Sequence, residues 1–493
     1  MATRRLKQQE LVTGLEIIDI TEDGRGIGKS EGRVLFIDKA IPGDIADVEL
    51  LRRKKSLFEG RIKRLEKESA HRRTPFCLHF GICGGCKWQH LEYPAQLIYK
   101  QKQVSDALQR LAGIDADHIS PIIPSPESIY YRNKLEYTFS NRRWLSPAEM
   151  INRASAEMIN DGGASAADAS AAPAPAAGAL GFHVPGRFDK IINVDTCYLQ
   201  NELSDRIRNA VRQFALETNM SFYDLRAHSG LLRNLIIRSA STGELMVIVV
   251  FADEQPEAAG PLMNFIKSQF PEITSLMYIV NRKLNDTIHD QEARVWSGKD
   301  YIFEQMEAPG GTVRFKIGPK SFYQTNSRQA QRLYQVVSDF ADFKGDEKVY
   351  DLYTGAGTIA NFIARQVSSV IGIEYVEPAI RDARENSVLN SVGNTTFFAG
   401  DMKDVLTAEF VAANGHPDVI ITDPPRAGMH AGVVSRLLEI APRKIIYVSC
   451  NPATQARDLL VLKEKYKVSR IQPVDMFPHT THVENVLLLE LCP

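Results

Sequence analysis

The sequence lacks long hydrophobic runs, an abundance of cysteine and any large excess of charge. No apolar stretch is long enough to cross a membrane as a helix, and the first ten residues, MATRRLKQQE, lack the hydrophobic segment of a secretory signal. We therefore expect a cytoplasmic protein without a membrane anchor. Six cysteines among 493 residues are too few for a disulfide scaffold. The net charge of -1 points to no class of partner.

The chain is too long for a single hydrophobic core, and we predict three domains, at 1–66, 67–310 and 311–493. The first consists of short strands separated by turns such as DGRGIGKSEG, a pattern typical of a small OB-like β-barrel. Residues 51–73 carry ten Lys and Arg against three Glu. On a small barrel this charge favours a phosphate-binding face, although a solvated edge strand would show the same pattern.

The central domain, predicted to be α+β, begins with a cysteine cluster. Cys77, Cys83 and Cys86 lie within TPFCLHFGICGGCKWQH, where the glycines allow the tight turns that bring three thiols together. Three sulfurs call for a fourth ligand, and Cys197 is the natural candidate. Spacing alone accommodates a structural zinc ion as well as an iron–sulfur cluster. Residues 154–179 are rich in Ala, Ser, Gly and Pro and predict a disordered insertion.

The last third alternates strand and helix patterns, which predicts a doubly wound, Rossmann-like α/β sheet. Gly355 and Gly357 follow one strand and allow a ligand to approach the backbone, but the third glycine of a dinucleotide loop is missing. Glu374 ends the next strand, where a carboxylate can bind a ribose diol. A nucleoside cofactor without a pyrophosphate fits this pattern, which favours S-adenosylmethionine.

Two apolar runs, VIIT and IIYV, end in the polar clusters DPPR and SCNP, which contain Asp423 and Cys450. Ligands of parallel sheets bind beyond such strand ends. Many amine methyltransferases have an aromatic residue where Arg426 stands, which disfavours an amine as the target. The cysteine at the neighbouring strand end, Cys450, suggests a carbon atom instead. Carbon 5 of a pyrimidine becomes nucleophilic when a cysteine of enhanced thiolate character adds to carbon 6, and a base must then remove the carbon-5 proton. Glu484, in HVENVLLLEL, is a suitable base.

The segments GPKSFYQTN, DLYTGAGTIA, IEYVEPAI, TDPPRAG, YVSCNPAT and FPHTTHVE resemble the RNA 5-methyluridine (uracil-C5) methyltransferase family, the RumA/TrmA group, and the amino-terminal segment resembles a TRAM domain. The resemblance covers nearly the whole chain outside the Ala-rich insertion. It implies that Cys450 attacks carbon 6 of uracil and that Glu484 is the base. We expect His479 and His482 to be structural residues that position the segment around Glu484 rather than proton carriers. The resemblance also implies a set of S-adenosylmethionine contacts: Gln324, Tyr353, Glu374, Asp401 and Asp423.

The same resemblance implies that Cys77, Cys83, Cys86 and Cys197 hold a 4Fe-4S cluster, which replaces zinc as the expected occupant. The TRAM-like segment and the four cysteines are typical of the branch that modifies 23S ribosomal RNA, so this is the expected substrate and transfer RNA the alternative. An RNA cytosine-C5 methyltransferase usually has a second Cys where Arg426 stands. A non-catalytic RNA-binding protein is a further alternative. We expect a monomer.

Overall fold

The protein is described here by a computed structural model that covers residues 4–54, 57–115, 119–145 and 178–493. The insertion predicted at 154–179 lies outside the described residues except for its last two positions. Within the described chain, the strands form a closed barrel, an eight-stranded sheet, a two-stranded hairpin and a seven-stranded sheet. No helix in these ranges is both long and apolar enough to span a membrane.

The amino-terminal strands form a closed five-stranded barrel, which confirms the predicted β-barrel. Alternate side chains point inward, so that Leu35, Ile37 and Val48 fill its core. Gly60 is required where two strands approach closely, because a Cβ there would lie 2.9 Å from the Glu49 carbonyl oxygen. The strands are β1 Arg4–Ile20, β2 Gly26–Ser30, β3 Arg33–Asp38, β4 Ile45–Lys54 and β5 Leu57–Lys67.

The basic stretch at 51–73 is partly neutralised by carboxylates. Several of its cations form ion pairs, namely Arg61 with Glu49, Arg64 with Asp47, Arg72 with Asp44 and Arg73 with Glu92. Each of these pairs removes a cation from the charge that phosphates would meet. The count of ten Lys and Arg in the sequence therefore overstates the positive charge of the predicted face.

The central sheet mixes parallel and antiparallel strands and carries two helices. Its strands are β6 Lys134–Ser140, β7 Arg143–Trp144, β8 Ala179–Val184, β9 Arg187–Asn193, β10 Leu232–Ser239, β11 Leu245–Phe251, β12 Ser275–Val280 and β13 Ala293–Gly298. The helices that belong to it are α2 Glu202–Glu217 and α3 Pro256–Gln269, numbered after α1 Tyr93–Ala107, which precedes the sheet. The apolar hairpin β10–β11 is buried along both strands and packs beneath these helices.

A two-stranded hairpin, β14 Ile302–Ala308 and β15 Gly311–Ile317, follows the central sheet. Its buried residues join one hydrophobic core with the central strands and with the last sheet, since Ile248, Phe315 and Val349 belong to the same cluster. The predicted boundary at 310/311 falls at the turn of this hairpin. The division into 1–66, 67–310 and 311–493 stays a prediction.

The carboxyl-terminal third forms a seven-stranded sheet in the order β18-β17-β16-β19-β20-β22-β21, whose first five strands are parallel. From β16 the strands continue in chain order through β17 and β18 on one side, and the next strand, β19, lies on the other side of β16. Ligands bind in such sheets at the point where the strand order switches in this way. The strands are β16 Lys348–Leu352, β17 Ser369–Glu374, β18 Thr395–Ala399, β19 Val419–Thr422, β20 Lys444–Ser449, β21 Tyr466–Val474 and β22 Glu484–Leu491. The helices are α4 Ser327–Ala341, α5 Thr358–Ile363, α6 Glu377–Leu389, α7 Met402–Val405, α8 Ala408–Asn414, α9 Ala431–Ile440 and α10 Pro452–Leu462.

Helix α1 packs on this last sheet, which begins more than 200 positions later in the sequence. Val104 shares a buried cluster with Tyr447 and Ile471. Nearby, Lys100 Nζ lies 2.6 Å from Asp475 Oδ1, and neither side chain has any exposed surface. A buried ion pair therefore joins the segment after the cysteine cluster to the carboxyl-terminal sheet.

We expect Lys100→Met to destabilise the protein, because it leaves the Asp475 carboxylate buried without its cation. Loss of one partner of a buried pair costs about 3–5 kcal/mol. The double variant Lys100→Met/Asp475→Asn removes both charges while keeping an oxygen acceptor for Tyr93, so it should be less destabilised than the single variant. Denaturant unfolding followed by circular dichroism measures both. A single variant as stable as the parent would contradict the role given to the pair.

Candidate active site

One cavity of about 1560 Å³ opens at the carboxyl ends of the parallel strands and extends to the cysteine cluster. It brings together all the site residues predicted from the sequence except Asp401. These lining residues are Cys77, Cys83, Cys86, Cys197, Gln324, Tyr353, Glu374, Asp423, Cys450 and Glu484. The cavity therefore has three regions: a cysteine end, a nucleoside end and a reactive centre between them.

The reactive centre is built by the pairing of β20 with β22. The two strands are antiparallel and their last pair is Ser449 opposite Asn485. Cys450 follows Ser449 and Glu484 precedes Asn485, and the charge of Glu484 acts on the Cys450 thiol, so the two side chains lie near each other at this end of the sheet. Glu484 also pairs with Val474 on the other side and is only 6% exposed. The pairing of these two strands thus brings a thiol and a carboxyl group to the same part of the cavity.

The loop after β19 is fastened to the loop that carries Cys450. Asn451 caps α10 through its side-chain oxygen, which accepts a hydrogen bond from Ala453 N at 3.1 Å. Its Nδ2 donates to the Arg426 carbonyl at 3.1 Å, and Thr454 Oγ1 donates to the same carbonyl at 3.3 Å. Arg426 is therefore held beside the thiol in the cavity wall.

Burial has the largest effect on the pKa values at the centre, and neighbouring carboxyl groups add to it. Burial raises the pKa of Glu484 well above its ordinary value, and Asp423 raises it further, while Arg426 acts in the opposite direction. Burial, followed by the charge of Asp351, raises the pKa of Asp423 to about 7. A carboxylate with a raised pKa is a stronger base, so Glu484 is suited to accept a proton.

The thiol of Cys450 shares this environment. Burial raises its pKa to about 11, Glu484 and Asp423 add to the rise, and Arg426 lowers it. The direction of this shift is opposite to the enhanced thiolate character expected from the sequence, and Arg426 is the neighbour that favours the thiolate. Added positive charge in the cavity would lower the pKa of the thiol and of both carboxyl groups.

The nucleoside end surrounds the loop between β16 and α5. Gly355 has a φ of 56° and an ideal Cβ there would touch nothing within 4 Å, so its backbone faces open space. Glu374 Oε2 accepts a hydrogen bond from Gly355 N at 3.2 Å, and its Oε1 accepts one from Val376 N at 3.0 Å. The Glu374 carboxylate thus joins the loop after β16 to the loop after β17, and it is the group that the sequence predicted to bind a ribose. Tyr353 and Gln324 complete this wall.

Asp401 is placed differently from the other predicted contacts. Its side chain caps α7 by accepting a hydrogen bond from Lys403 N at 3.2 Å and pairs with Lys403 Nζ at 3.2 Å. It does not line the cavity, although its charge contributes to the raised pKa of Tyr353.

Sequence reasoning missed Asp351. This residue lies in β16, is almost completely buried, and its Oδ2 accepts a hydrogen bond from Thr354 Oγ1 at 2.5 Å. Burial raises its pKa to about 7, and it lines the cavity beside the nucleoside end. The available signal was a lone acidic residue in the otherwise apolar middle of KVYDL.

The four predicted metal ligands lie at the opposite end. Burial raises the pKa of both Cys83 and Cys86 to about 12, and the charges of Cys77 and Cys197 raise it further, so the four groups lie within electrostatic range of one another. Across the described ranges, however, no three Cys, His, Asp or Glu side chains stand where they could hold a metal ion. The fold therefore gathers the thiols without placing them at ligand distances.

Comparisons with known proteins find RNA methyltransferases that match nearly the whole chain. A family model described as tRNA (Uracil-5-)-methyltransferase matches residues 277–491. An uncharacterized RNA methyltransferase of Bacteroides thetaiotaomicron is 52% identical over 95% of this chain and 99% of its own. Another, from Chlorobaculum tepidum, is 37% identical over 98% and 99%. The crystal structure of Pyrococcus abyssi tRNA (uracil-54, C5)-methyltransferase in complex with S-adenosyl-L-homocysteine is 27% identical, with a TM-score of 0.70 over 98% of this chain and 100% of that chain.

We expect alkylation of Cys450 by iodoacetamide to accelerate about tenfold per pH unit between about pH 7 and 10, because the thiolate fraction grows as the pH approaches the raised pKa. Asp423→Asn should accelerate the reaction at pH 8 and Arg426→Gln should slow it. Peptide mass spectrometry measures the rate, with the exposed Cys492 as the reference in the same digest. A rate already at its plateau at pH 7 would show that the thiol is ionised in the free protein.

Proposed function

Because the chain belongs to the RNA uracil-5 methyltransferase family, we propose that it transfers the methyl group of S-adenosylmethionine to carbon 5 of a uridine in RNA. The observation that carries the proposal is the pairing of β20 with β22, which brings Cys450 and Glu484 to one end of the sheet inside one cavity. The same cavity has room for a nucleoside cofactor and a target base. Bases reach such a site when they are unpaired or flipped out of a duplex.

Charge and shape support S-adenosylmethionine as the methyl donor. The open backbone at Gly355 and the carboxylate of Glu374 suit a nucleoside, and Gln324 and Tyr353 line the same wall. The raised pKa of Asp423 indicates an acidic cavity that a positively charged sulfonium would stabilise in its ionised form. The Pyrococcus abyssi relative was solved with S-adenosyl-L-homocysteine. We add Asp401, whose charge reaches Tyr353, as a contact near the adenine.

The proposed reaction uses two side chains of the protein in turn. The Cys450 thiolate, favoured by the neighbouring Arg426, forms a bond to carbon 6 of uracil and makes carbon 5 nucleophilic. S-adenosylmethionine would supply the methyl group to carbon 5, the bond from its sulfur to that methyl group breaking to leave the thioether S-adenosylhomocysteine. The Glu484 carboxylate then accepts the carbon-5 proton, the carbon 5–carbon 6 double bond re-forms, and the bond to sulfur breaks to release Cys450. Burial keeps Glu484 basic enough for this step.

Cys450→Ala should abolish methyl transfer and leave RNA binding largely intact, since the thiol forms the covalent bond but adds little to the binding surface. Glu484→Gln should accumulate a covalent protein–RNA adduct, because the thiol cannot leave until the proton is removed. Denaturing gels with labelled RNA measure the adduct.

Glu490→Gln is the matched control for the base variant, because Glu490 lies near the other end of β22, where it contacts Lys467. It should form no stable adduct. The double variant Cys450→Ala/Glu484→Gln should also form none. Full turnover by Glu484→Gln would overturn the role assigned to Glu484.

We propose 23S ribosomal RNA as the substrate. The amino-terminal barrel and the four cysteines support this proposal, because the resemblance found in the sequence makes both features typical of the branch that modifies this RNA. Transfer RNA is the second candidate, because the family model and the Pyrococcus abyssi relative are both named for it, and the latter covers the whole chain including the barrel. The proximity of Cys450 and Glu484 counts against a non-catalytic protein, and Arg426 counts against a cytosine-C5 enzyme.

Labelled methyl transfer to unmodified 23S ribosomal RNA and to unmodified transfer RNA, followed by nucleoside analysis, tests the substrate. We expect label as 5-methyluridine in the ribosomal RNA. Label in transfer RNA alone would keep the chemistry and replace the substrate. Label as 5-methylcytidine would replace the target base as well.

We further propose that Cys77, Cys83, Cys86 and Cys197 hold a 4Fe-4S cluster, with zinc as the less favoured occupant. The donor set fits either group, since four sulfurs line one end of the cavity and lie within electrostatic range. The thiols must lose their protons and draw together when a metal binds. A cluster there would supply a covalent tie between the loop at 77–86 and the segment before α2.

Protein purified without oxygen should be brown and contain about four irons and four sulfides per chain. Cys83→Ser should lose the colour and most of the iron, whereas Cys492→Ser, which changes an exposed thiol elsewhere, should keep both. Metal and sulfide analysis with visible spectroscopy measures the difference. A colourless preparation with one zinc per chain would establish the alternative.

A further inference from the structure

The catalytic base is carried at the end of a loop that other parts of the chain hold in place. Residues 475–483 connect β21 to β22, and Val474 pairs with Glu484 across the base of this loop. The loop therefore begins and ends at the same strand pair. Contacts along it determine where the carboxyl group of Glu484 stands at the start of β22.

Helix α1 holds the beginning of the loop. Lys100 Nζ lies 2.6 Å from Asp475 Oδ1 and donates a hydrogen bond to the Phe477 carbonyl at 2.9 Å. Tyr93 Oη donates to Asp475 Oδ2 at 2.8 Å. These contacts span more than 370 positions of sequence, so the loop takes its shape from a distant segment of the chain.

Gln96, a fully buried residue of α1, holds the middle of the loop. Its Oε1 accepts a hydrogen bond from His479 N at 2.9 Å, and its Nε2 lies 3.1 Å from His479 Nδ1. The same Nε2 donates to the carbonyls of Trp88 at 2.9 Å and Leu91 at 2.7 Å. His479 has a φ of 62°, a conformation that residues other than glycine adopt only when their surroundings hold them there.

The cysteine segment reaches the same residue from the other side. The backbone N–H groups of Lys87 and Trp88, directly after Cys86, donate to the His479 carbonyl at 2.8 and 3.0 Å. Tyr131 Oη donates to the neighbouring Pro478 carbonyl at 3.0 Å. One side chain, Gln96, thus joins the end of the cysteine segment to the loop that leads to the base.

We propose that Gln96 is a positioning residue for Glu484, and that it couples the cysteine segment to proton removal. This inference rests on the proposed function and concerns only the second part of the reaction, in which the carbon-5 proton is removed. In that step Glu484 accepts the carbon-5 proton, the electrons of the C–H bond form the double bond, and the bond from carbon 6 to Cys450 breaks. Addition of the thiol to carbon 6 requires no proton transfer from carbon 5 to Glu484.

Gln96→Leu separates the two halves of the reaction. We expect turnover to fall about tenfold while KM for RNA stays within about twofold, because a displaced base slows a chemical step without altering binding. The covalent adduct should accumulate during turnover, as in Glu484→Gln but to a smaller extent. A purely structural effect would lower thermal stability and RNA affinity without trapping the adduct.

Ile98→Ala is the matched control, since Ile98 lies on the same helix but is 62% exposed. It should show parental turnover and no adduct. Tyr131→Phe removes only the hydroxyl that holds Pro478 and should give the same pattern as Gln96→Leu at smaller amplitude. This variant keeps the test decisive if Gln96→Leu does not fold.

The outcomes distinguish the inference from the function beneath it. An adduct in Glu484→Gln, with none in Gln96→Leu or Tyr131→Phe, would overturn the positioning role alone. Failure of the parent protein to transfer a methyl group to either RNA would overturn the proposed function itself. Hydrogen exchange should rise at 475–483 in Gln96→Leu and stay unchanged in Ile98→Ala; unchanged exchange in both would also contradict the coupling.

Discussion

The antiparallel pairing of β20 with β22 is the constraint on which the site depends. Ser449 pairs with Asn485, and this brings the adjoining residues Cys450 and Glu484 to the same end of the sheet. A shift of one residue in this register would turn every side chain of β22 to the opposite face of the sheet. Because Val486 and Leu488 pack in one buried cluster and Leu487 and Leu489 in another, such a shift would require both clusters to repack.

The electrostatics of the cavity follow from this placement. Burial leaves Asp351, Asp423 and Glu484 with raised pKa values around a thiol whose pKa is also raised, and Arg426 is a cation acting on both the thiol and Glu484. Binding of the positively charged methyl donor that the proposed function requires would lower the pKa of the thiol and of the carboxyl groups together.

The sequence predicted the barrel, the doubly wound sheet and the residues that line the cavity because each lies in a short local pattern. Cys450 and Glu484 could be proposed as partners from their chemistry, and strand pairing then places them together. The position of α1 could not be predicted, since its buried Lys100 finds Asp475 across most of the chain. The pKa of Cys450 also could not be predicted, because it depends on burial and on the charges of Glu484, Asp423 and Arg426, which lie elsewhere in the chain. Asp401 follows a strand end as the other acids do, yet its side chain caps a helix.

The most direct test of the account is the reaction of the protein with RNA containing 5-fluorouridine in the presence of S-adenosylmethionine. Fluorine at carbon 5 cannot be removed as a proton, so a reaction through carbon 6 should stop at the methylated adduct. Peptide mass spectrometry should find the methylated nucleotide attached to Cys450. Attachment to another residue, or no adduct from a protein that methylates ordinary uridine, would contradict the assignment of Cys450 and Glu484.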